Sequence, residues 1–145
     1  MKINIKKIND NAKVPTLGSE YAAGADLYAC IENSITIQPH ETVMIGTGLA
    51  IETPIGFASL ILARSGLAYK QGLAPSNKIG LVDSDYRGEV KVALHNHSNT
   101  PQTINPFDRI AQLMIVPHLV CEFEVVKELS DTKRGEGGFG STGSR

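Results

Sequence analysis

The apolar residues of this chain come in short runs, several with a period of two, and that pattern limits the fold more than any other feature. Ile35-Thr36-Ile37 and Val90-Lys91-Val92-Ala93-Leu94 both alternate. In an extended backbone such alternation sends one set of side chains inward and the other to water. Apolar runs occupy residues 34–39, 42–46, 56–62, 79–82, 90–95 and 109–116. Gly, Pro, Asn and Asp clusters separate them, at 9–11, 53–56 and 96–101. Many short strands with frequent turns predict an all-β chain, a jelly-roll-like sandwich or barrel. One short helix is predicted at Ser65–Gln71, with Ser65 able to cap it and Gly72 able to stop it.

At 145 residues the chain has room for one domain. A net charge of −1 supplies no basic excess to displace counterions, which argues against general nucleic-acid binding. A small anion needs only a few Arg in one cleft. The first 13 residues contain no apolar signal-peptide core. No apolar run approaches the ~18 residues of a membrane span. Cys30 and Cys121 are expected as buried thiols in a reducing compartment, with the cytoplasm as the default location.

Composition changes at Ser130. Residues 1–129 read as the β domain, and 130–145 as a flexible Gly-rich tail. The tail holds Gly135-Glu136-Gly137-Gly138-Phe139-Gly140, a G-x-G-x-x-G with no βαβ unit around it, so the dinucleotide-fold reading fails. Two readings remain. One is a plain disordered tail. The other is a phosphate-closing flap, with Gly N–H groups near phosphate oxygens, Arg134, Ser141 and Thr142 as ligands, and Phe139 as a ring for a base.

Three further stretches could carry chemistry. Residues 81–90 read as two strands joined by a polar hairpin turn, with Asp83 at a strand end, either a solvated turn residue or a carboxylate that orients water. Ala63-Arg64-Ser65-Gly66 lies between a strand and a helix start, which is either an ordinary cap or an anion site. His95 and His97 have the spacing to share a strand face, but no Cys, Asp or Glu cluster accompanies them.

Taken in order, these stretches resemble the dUTPase family. Ala23-Gly24-Ala25-Asp26-Leu27-Tyr28-Ala29 is similar to the first of its five motifs, and Ala63 to Ala68 to the second. Residues 80–90 resemble the third, Asp108-Arg109-Ile110-Ala111-Gln112-Leu113 the fourth, and 134–143 the fifth. Ala63 stands where the family often has Pro, and Phe107 where many members have Gly.

The resemblance implies a homotrimer with three active sites shared between subunits, and hydrolysis of dUTP to dUMP and pyrophosphate. Asp83 would take a proton from the water that attacks the α-phosphorus. Mg²⁺, held mainly by the triphosphate, would be linked through water to Asp26. Arg64, Ser65, Gly66 and Gln112 would hold the phosphate chain, and Arg109 would act as a structural ion pair. Asn77, Leu81, Val82 and Lys91 would read the uracil edge, and Tyr86 would exclude a 2′-hydroxyl. Arg134, Phe139, Gly140 and Ser141 would close over the nucleotide. A dCTP deaminase or bifunctional deaminase–dUTPase of the same fold, and a non-catalytic nucleotide-binding regulator, are the competing readings.

Overall fold

A computed structural model describes residues 1–138. Eleven strands and one helix follow one another among these residues. They are β1 (Asn4–Lys7), β2 (Thr16–Leu17), β3 (Ala25–Tyr28), β4 (Ile35–Ile37), β5 (Thr42–Glu52), β6 (Phe57–Leu62), α1 (Ser65–Gln71), β7 (Leu73–Pro75), β8 (Ile79–Val82), β9 (Glu89–Asn96), β10 (Gln102–Ile104) and β11 (Arg109–Pro117). They form a four-stranded sheet in the order β1-β5-β9-β7, a five-stranded sheet β2-β3-β11-β6-β8, and a pair β10-β4. All pairings are antiparallel, and the helix is short, as the alternation predicts.

Period-two burial is clearest in β9, where Val90, Val92, Leu94 and Asn96 point inward. Together with Leu27, Ile45, Leu49, Ile61 and Ile110 they build one core between the sheets. Leu27, Leu94 and Ile110 are fully buried, so truncating any one to Ala costs about 2–5 kcal/mol. The buried Asn96 is satisfied: its amide donates to the carbonyls of Ile37 and Thr100 at 3.0 and 2.8 Å, and its oxygen accepts from Ser98. It thereby ties β9 to β4 and to the following turn.

The structure corrects several sequence readings. Residues 81–90 do not form a hairpin, because β8 pairs with β6 and β9 pairs with β5 and β7. The segment 83–88 instead crosses from one sheet to the other. Alternation shows which face a strand buries, but not which strand lies beside it. Ser65 does not cap α1; it is the first helical residue, and Arg64 occupies the cap position with extended φ −86° and ψ 125°. Gly72 does end the helix, in the left-handed conformation. Cys121 is exposed, because the last strand ends at Pro117 and residues 118–138 carry no helix or strand. Cys30 is half-buried, and burial, with Glu89 nearby, raises its thiol pKa.

Phe107 takes φ +66°. A side chain in that region costs about 1–2 kcal/mol, which is why Gly suits this turn. Its N–H donates to the Ala29 carbonyl, while Ala29 N–H donates to Asp108, joining the end of β3 to the start of β11. Lys13 lies 4.7 Å from the centre of the Phe107 ring and 5.1 Å from that of Tyr28, a cation–π contact that offsets part of the cost.

Candidate active site

β11 is the central strand of the five-stranded sheet, and it brings three of the motif residues to one level. Gln112 on β11 lies opposite Asp26 on β3 and opposite Leu62 on β6. Arg64 follows two residues after Leu62, where the chain leaves the sheet for α1. Asp26 is only 8% exposed, and a carboxylate so buried needs a cation. It has two: Arg64 Nε donates to Oδ1 at 2.6 Å, and Arg109 Nη1 donates to Oδ2 at 3.2 Å. Gln112 Nε2 donates to the Ala63 carbonyl at 2.8 Å and fixes the entry to the helix.

The result is a pocket of about 230 Å³ between Asp26, Arg64, Ser65, Gly66, Arg109 and Gln112. Two guanidiniums face one carboxylate, which leaves the pocket one positive charge in excess. No side chain caps α1, so its first amides keep free N–H groups beside that charge. The chemistry suits an anion with several oxygens. Gly18, Ser19 and Ala22 complete the wall, and sequence reading missed them, since a small polar loop carries no pattern.

Asn77, Leu81, Val82, Asp83, Tyr86 and Lys91 assemble elsewhere. A cleft of about 330 Å³ is lined by Leu81, Val82, Asp83, Tyr86 and Lys91. A second, of about 170 Å³, is lined by Asn77, Gly80, Leu81, Val82 and Lys91. Met44, from β5, is common to both, and sequence reading missed it too; an apolar residue left 60% exposed on a strand was its only signal. Asp83 is exposed just past the end of β8. Tyr86 N–H donates to the Asp83 carbonyl at 3.2 Å, closing a turn, and the Tyr86 hydroxyl donates to the Glu89 carbonyl at 3.0 Å. The ring lies against Gly88, where an added Cβ would come 2.9 Å from Tyr86 Cε2 and closer still to its hydroxyl end.

The two regions are far apart in one chain. Asp26, Gln112, Leu62 and Ile79 lie side by side across four adjacent strands. Three strand spacings of about 4.8 Å separate Asp26 from Ile79, and Asp83 lies four residues further along, at about 3.3 Å each. Asp26 and Asp83 are therefore roughly 20 Å apart.

Arg134 is exposed, and its Nε donates to the Gly137 carbonyl at 2.7 Å, within the tail itself. Phe139, Gly140, Ser141, Thr142 and Gly143 lie outside the described residues. His95 and His97 meet edge to face, with ring centres 4.4 Å apart, and Thr42 bonds His95 Nδ1 at 2.8 Å. Desolvation first, then His95, Lys78 and His40, hold His97 below the usual histidine range. Among the described residues no group of three or more His, Cys, Asp or Glu could hold a metal ion. Among the described residues no helix is long and apolar enough to cross a membrane.

A β scaffold with an anion pocket at one end, and an apolar-walled cleft beside an open carboxylate at the other, defines a protein with two separate small-ligand surfaces. The chain belongs to the dUTPase family, whose model matches residues 10–143. It is 52% identical over 143 residues to the deoxyuridine 5′-triphosphate nucleotidohydrolase of Nautilia profundicola, covering 99% of each chain. It superposes with a TM-score of 0.89 on the Staphylococcus bacteriophage 80alpha dUTPase solved with dUPNHPP, at 27% identity and covering 98% of both chains. It also matches a variant of the dUTPase from phage phi11 of S. aureus, described with a structural Mg(II) ion, at TM-score 0.81 and 23% identity, covering 90% of this chain and all of the other.

Proposed function

We propose that this chain is a dUTP diphosphatase that hydrolyses dUTP to dUMP and pyrophosphate by attack of water on the α-phosphorus, at sites built between the subunits of a homotrimer in the cytoplasm. The observation that carries the shared site is the strand register, which with ordinary strand spacings puts Asp26 and Asp83 roughly 20 Å apart. The phosphates and the attacking water of one nucleotide are a few bond lengths apart. A base at Asp83 and a phosphate cradle at Arg64 in the same chain cannot serve the same molecule. The cradle of one subunit facing the Asp83 cleft of another removes the conflict. The number three, and closure by the tail of the third subunit, follow from the family resemblance.

In such a site Arg64, Ser65, Gly66 and Gln112 hold the triphosphate with charge and N–H donors. Arg109 shares the neutralisation of Asp26 and keeps Arg64 from being wholly occupied by it. The donor set fits Mg²⁺ only in part: one carboxylate is present, already bonded to two guanidiniums, so the cation must take most of its oxygens from phosphate and water. Asp26 would hold one of those waters through its remaining lone pairs. When bound, Mg²⁺ supplies charge neutralisation for the leaving pyrophosphate. Asp83 accepts the proton of the attacking water and aims it in line.

The backbone of Leu81, Val82 and Lys91, with Asn77, reads the base. Main-chain donors and acceptors cannot swap roles, so cytosine leaves groups unpaired at about 1–3 kcal/mol each. Arg134, Phe139, Gly140 and Ser141 close over the nucleotide when it binds.

One assay tests the reading. The protein and Mg²⁺ are mixed with dUTP, and in a parallel reaction with dCTP, in ¹⁸O-water. Pyrophosphate without ammonia, with label in dUMP, is the expected result. Ammonia from dCTP would replace the reading with a deaminase; label confined to pyrophosphate would overturn attack at the α-phosphorus.

Tyr86 packs under the deoxyribose where a 2′-hydroxyl would sit, and Gly88 gives the ring its place. Gly88→Ala drives a methyl into that ring and displaces it. The ratio of kcat/KM for dUTP to that for UTP is expected to fall about tenfold, the worth of one close steric contact. An unchanged ratio would remove Tyr86 from sugar selection.

A further inference from the structure

The segment that carries Asp83 crosses between two sheets, so no strand partner fixes the carbonyls of residues 83–88. One side chain does. Arg87 Nη1 donates to the Ser84 carbonyl at 2.7 Å and to the Tyr86 carbonyl at 3.0 Å. Its Nη2 donates to Glu52 Oε1 at 3.1 Å. Glu52 ends β5, where it lies opposite Asn4, and Asn4 Nδ2 donates to its other oxygen at 2.7 Å. The hydrogen bond from Asn4 first, then the Arg87 charge, hold the Glu52 carboxyl below the usual carboxylate range, so it stays ionised and available to the guanidinium.

We infer that Arg87 is a positioning residue for hydrolysis, a clamp that sets the crossover carrying Asp83 and is itself aimed by the Glu52–Asn4 pair on the neighbouring strands. The clamp deepens the proposed function and rests on it. Arg87 is 54% exposed and Glu52 46%, so their pair contributes little to stability. What it supplies is direction. A guanidinium is a planar fork, and one that bonds Ser84 and Tyr86 carbonyls together fixes the Ser84–Asp85 and Tyr86–Arg87 peptides, and through them the backbone that follows Asp83. Without it, the Tyr86 N–H to Asp83 bond and the Tyr86 hydroxyl to Glu89 bond hold the crossover alone. A carboxylate free to swing by an ångström loses its line to the α-phosphorus. The backbone of Leu81, Val82 and Lys91 proposed to read the base lies on β8 and β9, which are held by their own sheet partners and not by the clamp.

The test measures kcat and KM for dUTP, with thermal unfolding as a check on folding, in Arg87→Ala, Arg87→Lys, Glu52→Gln and the double variant Arg87→Ala/Glu52→Gln. Arg87→Ala is expected to lower kcat about 10- to 100-fold, the range for a misplaced catalytic group, with KM within about twofold and little change in unfolding temperature. Arg87→Lys, which keeps the charge without the fork, recovers part of that loss. Glu52→Gln lowers kcat several-fold by itself and nothing further once Arg87 is gone, because its effect runs through Arg87. Should Arg87→Ala fail to fold, Arg87→Lys and Glu52→Gln decide the question through the same kcat loss at constant KM. Parent kcat in the Arg87 variants, a loss that falls on KM, or a Glu52 effect that persists without Arg87 would each overturn the clamp while the parent chain still turns over dUTP. A parent chain that does not hydrolyse dUTP would instead overturn the proposed function, and the clamp with it.

Discussion

Asp83→Asn is expected to lower dUTP turnover by about 10²- to 10⁴-fold, the usual worth of a general base, while dUTP binding stays nearly intact. Asn is almost the same size as Asp, and the turn is closed through the main-chain carbonyl of residue 83, which Asn keeps, so the crossover keeps its shape. The amide cannot accept the water's proton. In the proposed site binding survives because Arg64, Ser65, Gly66 and Gln112, which line the other pocket, would hold the phosphates, and backbone groups of β8 and β9 the base. Removing a negative charge from beside the triphosphate can even tighten binding. Equilibrium binding of dUTP and single-turnover rates, measured on the same preparation, separate the two effects. Turnover within about threefold of the parent would reject Asp83 as the base.

The second large effect is recovered activity in a mixture of two inactive proteins. Asp83→Asn removes the proposed base, and Arg64→Ala removes a proposed phosphate ligand. Asp26 keeps Arg109 as a partner in the second variant, so its buried charge is not left alone. Either variant alone has no complete site. The two are unfolded together in equal amounts and refolded, so that subunits assort at random into closed rings. If each site takes Asp83 from one subunit and Arg64 from another, about one quarter of sites receive both intact. If one chain supplied both, no site would ever be complete. Recovery near one quarter of parent activity per site is the expected result. No recovery, with mixed assemblies confirmed by mass spectrometry, would remove the shared site from the reading.

The all-β class and the strands with long alternation were legible in the sequence. β9 is the clearest case, with Val90, Val92 and Leu94 buried in step. β2, β3, β7 and β10 have two to four residues each, too few for a period to show. Partner choice was not legible at all, and for that reason the 81–90 segment read as a hairpin. The identities of Asp83, Arg64 and Gln112 stood out because they sit in ordered motifs. The relation between Asp26 and Arg64 did not. Separated by 38 positions, they meet because β3 and β6 flank β11, and a buried carboxylate takes the nearest guanidinium. Arg87 gave no signal, since a charged residue in a polar turn is the commonest of surface features.

The position of β11 has a consequence for biosynthesis. It is the last strand among the described residues, yet it lies between β3 and β6 in the middle of the five-stranded sheet. While the ribosome has made only the first hundred residues, β3 and β6 have no common neighbour, and each presents an edge of unpaired N–H and C=O groups. The sheet cannot grow outward from a finished N-terminal part; it must wait for Arg109–Pro117. Contacts so distant in sequence also make folding slow. The nascent chain is therefore most exposed to misassociation in the interval before β11 is made, and truncated products that stop short of β11 are the ones expected to need chaperones or to be degraded.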